Sequence, residues 1–208
     1  YSVTVTDSTD CTKSIDYTIT QPNELQMALD DSISSAINCF GDNGTLKVDI
    51  SQESTAPYTY LLEGTELVSG NAVSQSLTNQ TELTQTYDTL KAGTYTVKII
   101  DANGCEKITS AKTLTEPTAG LSITEILSTH NGFSITCNGA NDGSIDLTVA
   151  GGTVNYNYAW TTNDGSGLDA AVADQTGLGP GTYKVVVTDN NLCTIEKTYI
   201  LTEPTELA

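Results

Sequence analysis

The sequence predicts an all-β chain of tandem immunoglobulin-like antiparallel β-sandwich domains. Three observations carry that prediction. Apolar and polar residues alternate in short runs, Gly/Asn/Asp clusters punctuate those runs, and one strand-turn-cysteine segment is written three times. The copies are YSVTVTDSTDC at residues 1–11, GTYTVKIIDANGC at 93–105 and GTYKVVVTDNNLC at 181–193.

The copies set the domain organisation. Tyr1, Tyr95 and Tyr183 begin them, Cys11, Cys105 and Cys193 end them, and Pro22, Pro117 and Pro204 follow in TITQP, TLTEP and ILTEP. A period of about 90 residues is too long for a solenoid turn and suits an independently folding domain in tandem array. Residues 1–24 then read as the last strands of an incomplete upstream repeat, 25–118 as one full β-sandwich repeat and 119–208 as a second. Tyr1 falls in mid-strand, so the segment reads as an internal piece of a longer chain. The linkers around 20–25 and 115–119 are short and carry a proline that fixes φ and disfavours helix before it, which favours neighbours set end to end.

Each full repeat first shows a cysteine, a Gly/Asn/Asp turn and a strand: CFGDNGTLKVDI at 39–50 and CNGANDGSIDLTV at 137–149. Leu46, Val48 and Ile50 share one face, as do Ile145, Leu147 and Val149. A Tyr-rich strand follows, with Tyr58, Tyr60 and Leu62, or Tyr156, Tyr158 and Trp160, on one face. That alternation places Trp160 in the core rather than on a sugar-stacking surface. The thrice-written strand has the same period in Tyr95, Val97 and Ile99 and in Tyr183, Val185 and Val187. Its opening tyrosine, just after Gly-Thr, resembles the tyrosine corner of immunoglobulin-like sandwiches, although the cysteine spacing of true immunoglobulin domains is absent.

Composition excludes several functions. The chain of 208 residues has no arginine and 8 lysines against 26 acidic residues, for a formal charge of −18. Phosphate binding needs clustered Lys or Arg, so nucleic acid is excluded as a partner. No run approaches the ~20 apolar residues of a spanning helix, so direct membrane insertion is not expected. His130 is the only histidine and lies in the loop-like LSTHNGF, which leaves histidine-based triads and His-type metal sites without parts. No enzyme is expected.

The acidic turns place Asp42, Asp101, Asp142 and Asp189 on loops at the ends of the repeats. Calcium takes six to eight oxygens of the kind such loops could supply. The same Asp and Asn residues also suit a plain turn role, because their side chains hydrogen-bond their own backbone. No other cofactor is expected. Ser8, Ser32 and Thr89, in DST, DSI and DTL, resemble O-glycosylation acceptors of exported Bacteroidota proteins, and NGT at 43–45 and NQT at 79–81 fit the N-glycosylation pattern.

The five cysteines follow the repeat: one stands before the first acidic turn of each full unit and one after its late strand. The expectation is a bond within each unit, Cys39 with Cys105 and Cys137 with Cys193. Closing such a loop restricts the unfolded chain by about 4 kcal/mol in the chain-entropy view. Cys11 then stays unpaired in this segment. The alternative, Cys11 with Cys39 and Cys105 with Cys137, would bridge neighbours and leave Cys193 over.

The order of these motifs resembles the SprB-type repeat of large Bacteroidota cell-surface adhesins. The second unit carries Cys137, Gly139, Asp142, Gly143, Gly151, Gly152, Thr153, Tyr156, Tyr158, Trp160, Gly181, Thr182, Tyr183, Asp189, Cys193 and Pro204 at the matching places. The first unit departs, with Gln52-Glu53-Ser54 for the double glycine, Leu62 for the tryptophan and an insertion around 66–86. The resemblance implies an extracellular, cell-surface filament of adhesion and gliding motility, contacting neighbouring repeats and an external surface or polysaccharide. The alternative, from another class, is an accessory or carbohydrate-binding module of a secreted polysaccharide-degrading enzyme.

Overall fold

In the computed structural model, which describes residues 1–30, 36–52 and 54–207, the regular elements are all β-strands. The first two, β1 (Ser2–Thr6) and β2 (Thr12–Asp16), form an antiparallel hairpin. Val3 and Val5 on its apolar side remain 52% and 66% exposed. Their counterparts in the two later copies are fully buried, because there a second sheet packs on the hairpin.

The first full repeat runs through β3 (Gln26–Leu29), β4 (Gly44–Gln52), β5 (Tyr58–Glu66), β6 (Ala72–Gln80), β7 (Thr84–Leu90), β8 (Gly93–Ile100), β9 (Glu106–Ile108) and β10 (Lys112–Leu114). They make two antiparallel sheets, β3-β4-β7 and β10-β8-β5-β6, with β9 also on β8. The second repeat comprises β11 (Ser122–Leu127), β12 (Gly143–Ala150), β13 (Asn157–Thr162), β14 (Gln175–Leu178), β15 (Gly181–Thr188) and β16 (Thr194–Leu201). Its sheets are β11-β12-β14 and β13-β15-β16. The insertion of the first repeat becomes β6, which extends the β5 hairpin as an added edge strand.

Each repeat has its own core between its sheets. Leu46, Val48 and Ile50 of β4 meet Tyr58, Tyr60 and Leu62 of β5 and Tyr95, Val97 and Ile99 of β8. In the second repeat Ile145 and Leu147 meet Trp160, Tyr183, Val185 and Val187. These side chains are those that pack well on a pleated surface, and their period of two turns every one inward. Trp160 is 3% exposed, stacks obliquely on Tyr199 at 5.8 Å and donates its indole N–H to the Val172 carbonyl at 2.9 Å. A tryptophan with its one donor satisfied inside is a core residue. In the first repeat buried Leu62 takes that place, and Val73 and Leu77 of β6 pack on the same core.

Both tyrosine corners form. Tyr95 Oη donates to the Lys91 carbonyl at 2.9 Å and Tyr183 Oη to the Gly179 carbonyl at 2.8 Å, each four residues upstream. The segment before each early cysteine lies beside the end of the last strand: the Ile37 N–H reaches the Thr115 carbonyl, and the Ile135 N–H that of Thr202. Both isoleucines are buried, which anchors the two cysteine turns at equivalent places.

Candidate functional site

The strand directions decide where the cysteines go. β4 and β8 both start at the pole that carries the early cysteine, since Gly44 pairs with Leu90 and β8 begins three residues later at Gly93. β8 then runs to the opposite pole, about 23 Å away at the ordinary rise of a strand, before reaching Cys105. β12 and β15 repeat the arrangement for Cys137 and Cys193. A disulfide needs its two Cα atoms within about 7 Å. The expected bonds Cys39–Cys105 and Cys137–Cys193 are therefore corrected by the fold.

The bond that does form joins the repeats. Cys39 of the first is linked to Cys193 of the second, with Cα atoms 5.7 Å apart, while Cys11, Cys105 and Cys137 are free and exposed. Neither bond of the alternative bridging scheme, Cys11–Cys39 or Cys105–Cys137, is present. Beside the bond, the Asn191 side-chain amide donates to the Asn38 carbonyl at 3.0 Å. Phe40, Gly120, Leu121, Gly152 and Ile195 line an open cavity around it.

The double glycine of the second repeat belongs to this junction. Gly151 and Gly152 are both left-handed, at φ 77° and 60°, and the Gly152 N–H donates to the Ala119 carbonyl of the linker at 2.8 Å. A Cβ on Gly151 would lie 1.9 Å from the Gly120 carbonyl oxygen. Only glycine lets the incoming linker lie directly on this turn.

The outgoing linker is held just as firmly. The glutamate of each T-E-P caps the early cysteine turn, with Glu116 accepting the Gly41 N–H and Glu203 the Gly139 N–H, both at 2.6 Å. Sequence reasoning took T-E-P only as a repeat marker and missed Glu116, Glu203, Asn38 and Asn191. The recurrence of Glu directly between Thr and Pro, at Glu116 and Glu203, was the available signal.

The late cysteine sits in the same loop three times. Asp7, Asp101 and Asp189 accept the backbone N–H of Cys11, Cys105 and Cys193 on Oδ1 at 3.0, 2.8 and 2.9 Å. Asp10, Gly104 and Leu192, each just before the cysteine, are all left-handed, at φ 66°, 82° and 68°. A leucine there is uncommon and marks a loop shape imposed by its surroundings.

Within each repeat the aspartates considered for calcium lie at opposite poles, Asp42 and Asp142 at the early-cysteine pole and Asp101 and Asp189 at the late one. The junction sets Asp42 in the cavity beside Cys193, on the loop Asp189 anchors. Three of them are engaged with donors. Asp101 and Asp189 anchor their loops, Asp189 Oδ2 also takes the Thr153 N–H at 2.8 Å, and Asp142 accepts the Thr136 N–H at 3.1 Å and its hydroxyl. Asp42 is exposed. Among the described residues no group of three or more His, Cys, Asp or Glu side chains comes together as a metal site. His130 closes an exposed tight turn with Phe133. Ser8 and Thr89 are exposed, and Ser32 lies outside the described residues.

Burial works against ionising Asp189, but the N–H groups of Thr153, Cys193 and Asn191 outweigh it and hold its pKa below the ordinary value near 3.8. Asp101 is likewise lowered, burial opposing and the Cys105 and Asn103 N–H groups among those favouring the charge. With folded-state values below the unfolded ones, the unfolded chain binds more protons in acid. Stability is expected to be fully present above about pH 4 and to fall as pH drops through the lowered values. Thermal melts from pH 7 to pH 2 check this, and Asp189→Asn should shrink the acid-dependent part.

Residues 134–165 match the family model of the SprB repeat. No curated protein sequence matches the chain significantly. Among solved structures, the C-terminal 282-residue fragment of intimin, in complex with the intimin-binding domain of its translocated receptor, aligns at 16% identity and TM-score 0.49. That alignment covers 88% of this chain and 64% of the fragment, so the chain spans less than two thirds of it. A segment of two fibronectin type-III domains from chicken tenascin aligns at 12% identity and TM-score 0.31, over 87% of this chain and 99% of its own. Drosophila OTK extracellular domains 3–5 align at 10% identity and TM-score 0.28, over 78% and 61%.

Proposed function

We propose that this chain, whose residues 134–165 match the family model of the SprB repeat, is a non-catalytic tandem segment of a large secreted cell-surface adhesin. It acts as an extended stalk and as part of the surface that meets the substratum in adhesion or gliding. The observation that carries this reading is the junction. A disulfide, a linker laid on a double glycine and a glutamate-capped turn hold one repeat to the next by their poles. Pole-to-pole fixation is what a stalk requires, because it turns the length of each sandwich into reach. The acidic surface repels anionic lipids and keeps such an array away from the membrane that bears it.

Small-angle scattering of the oxidised chain tests this directly. The expected result is a rod-like distance distribution with a maximum dimension near the sum of two sandwich lengths. A compact globule with the repeats packed side by side would overturn the stalk reading.

A further inference from the structure

We propose that the Cys39–Cys193 bond is one link of a staggered series, in which the early cysteine of every repeat is joined to the late cysteine of the repeat that follows. The inference deepens the stalk reading and rests on its premise that the array continues beyond both ends of this segment.

The three free cysteines are the places such a series would reach next. Cys137 is the early cysteine of the second repeat, and its turn is built like that of Cys39. Each turn's carbonyl accepts a backbone N–H, Asp42 onto Cys39 and Ala140 onto Cys137, and each has its glycine capped by a T-E-P glutamate at 2.6 Å. Cys137 is exposed at the outgoing pole, beside Pro204, whose carbonyl accepts the Asn138 amide at 3.2 Å. It is presented to a following repeat as Cys39 is presented to the second.

Cys105 and Cys11 are late cysteines in the loop that holds Cys193. All three loops share the aspartate clamp, the left-handed residue before the cysteine and the hairpin register closing on Thr6 with Thr12, Ile100 with Glu106 and Thr188 with Thr194. The incoming segment also passes Cys105 as it passes Cys193. Lys107, two residues beyond Cys105, pairs with Glu24 of its incoming segment at 3.1 Å, while Ile195, two beyond Cys193, shares the junction cavity with Gly120 and Leu121. Cys105 therefore takes the early cysteine of the preceding repeat, and Cys11 that of the one before it. An odd set of five cysteines becomes one closed bond and three open ends of the same pattern.

Each link converts two thiols to one disulfide with release of two protons and two electrons. The electrons pass to the disulfide of a thiol oxidant, which leaves as two thiols. In the test that oxidant is oxidised glutathione. The Asp101 carboxylate, with burial and a hydrogen bond adding to it, pushes the Cys105 thiol up in pKa.

The experiment extends the full chain by a further copy of residues 119–208 placed after Thr205, so that the proline-to-repeat spacing is kept. After refolding with oxidised and reduced glutathione, iodoacetamide labelling and non-reducing peptide mapping are expected to show Cys137 joined to the late cysteine of the added repeat. The added early cysteine should then carry the label in its stead. Cys137 still labelled, or joined within its own repeat, overturns the proposal. The unextended chain gives an independent check that needs no added repeat to fold. It should yield the Cys39–Cys193 peptide with Cys11, Cys105 and Cys137 labelled, and a Cys39–Cys105 or Cys137–Cys193 peptide overturns the series. Scattering on the same samples separates the two ideas: links in a compact particle refute only the stalk, and an unlinked rod refutes only the series.

Discussion

Reduction of the Cys39–Cys193 bond is expected to uncouple the two repeats while leaving each core intact. The bond closes a separation of 154 residues, which in the chain-entropy view restricts the unfolded ensemble by about 5 kcal/mol. That restriction falls almost in full as soon as either repeat unfolds, because the folded one holds its sulfur beside the linker; unfolding the other as well adds little, so the transitions are coupled. Guanidinium unfolding of the oxidised chain should therefore be steeper and later than that of the reduced chain or of Cys193→Ser. Spin labels on Thr45 and Thr198 should report a broader distance distribution once the bond is gone, because only non-covalent contacts then hold the junction: the Asn191–Asn38 hydrogen bond, the linker contacts at Gly152 and Gly41, and a cavity with an exposed Phe40. Superimposable unfolding curves and unchanged distances would show that the bond does no mechanical or thermodynamic work.

The second large effect is expected at Gly151. A valine there meets two costs at once, a left-handed backbone unfavourable for a β-branched residue and a Cβ only 1.9 Å from the Gly120 oxygen. The expected loss is about 3–4 kcal/mol in the second repeat, or displacement of the linker from the turn. Gly139 supplies the contrast. It is also left-handed, at φ 74°, but a Cβ would meet nothing within 4 Å, so Gly139→Ala should cost only about 1–2 kcal/mol. Equal losses at the two glycines, measured by urea denaturation, would mean that the linker contact contributes nothing.

Much of the fold was legible because β-periodicity is local. Leu46, Val48 and Ile50, or Tyr183, Val185 and Val187, announce their buried face within five residues, and Trp160 is read as core from the same alternation. The tyrosine corner was legible too, since its acceptor lies four residues upstream in the chain. The disulfide was not, because its partners are fixed by strand direction rather than by spacing. Cys39 precedes a strand and Cys105 follows one running the same way, which puts a full strand length between them. Counting cysteines per repeat pairs them by number, whereas the fold pairs them by pole. The glutamates of T-E-P were hidden for a similar reason. Their partners, the N–H groups of Gly41 and Gly139, are 75 and 64 residues away and say nothing in the sequence about what they accept.

The Cys39–Cys193 bridge also settles how tension travels through this segment. A pull on the two ends enters along residues 1–38, crosses the sulfur atoms and leaves along residues 194–208. Residues 40–192 sit on a covalent bypass, so a pull on the ends cannot draw out the backbone between the two cysteines. At the reach of an extended chain, this withholds about 500 Å of slack from any stretching force. What the force does meet is the β1–β2 hairpin, β3, held on β4, and β16, held on β15 by eight consecutive register pairs. The segment is thus a tether that can yield at its margins but cannot pay out its interior while the bond stands, and reduction of the bond releases the remainder.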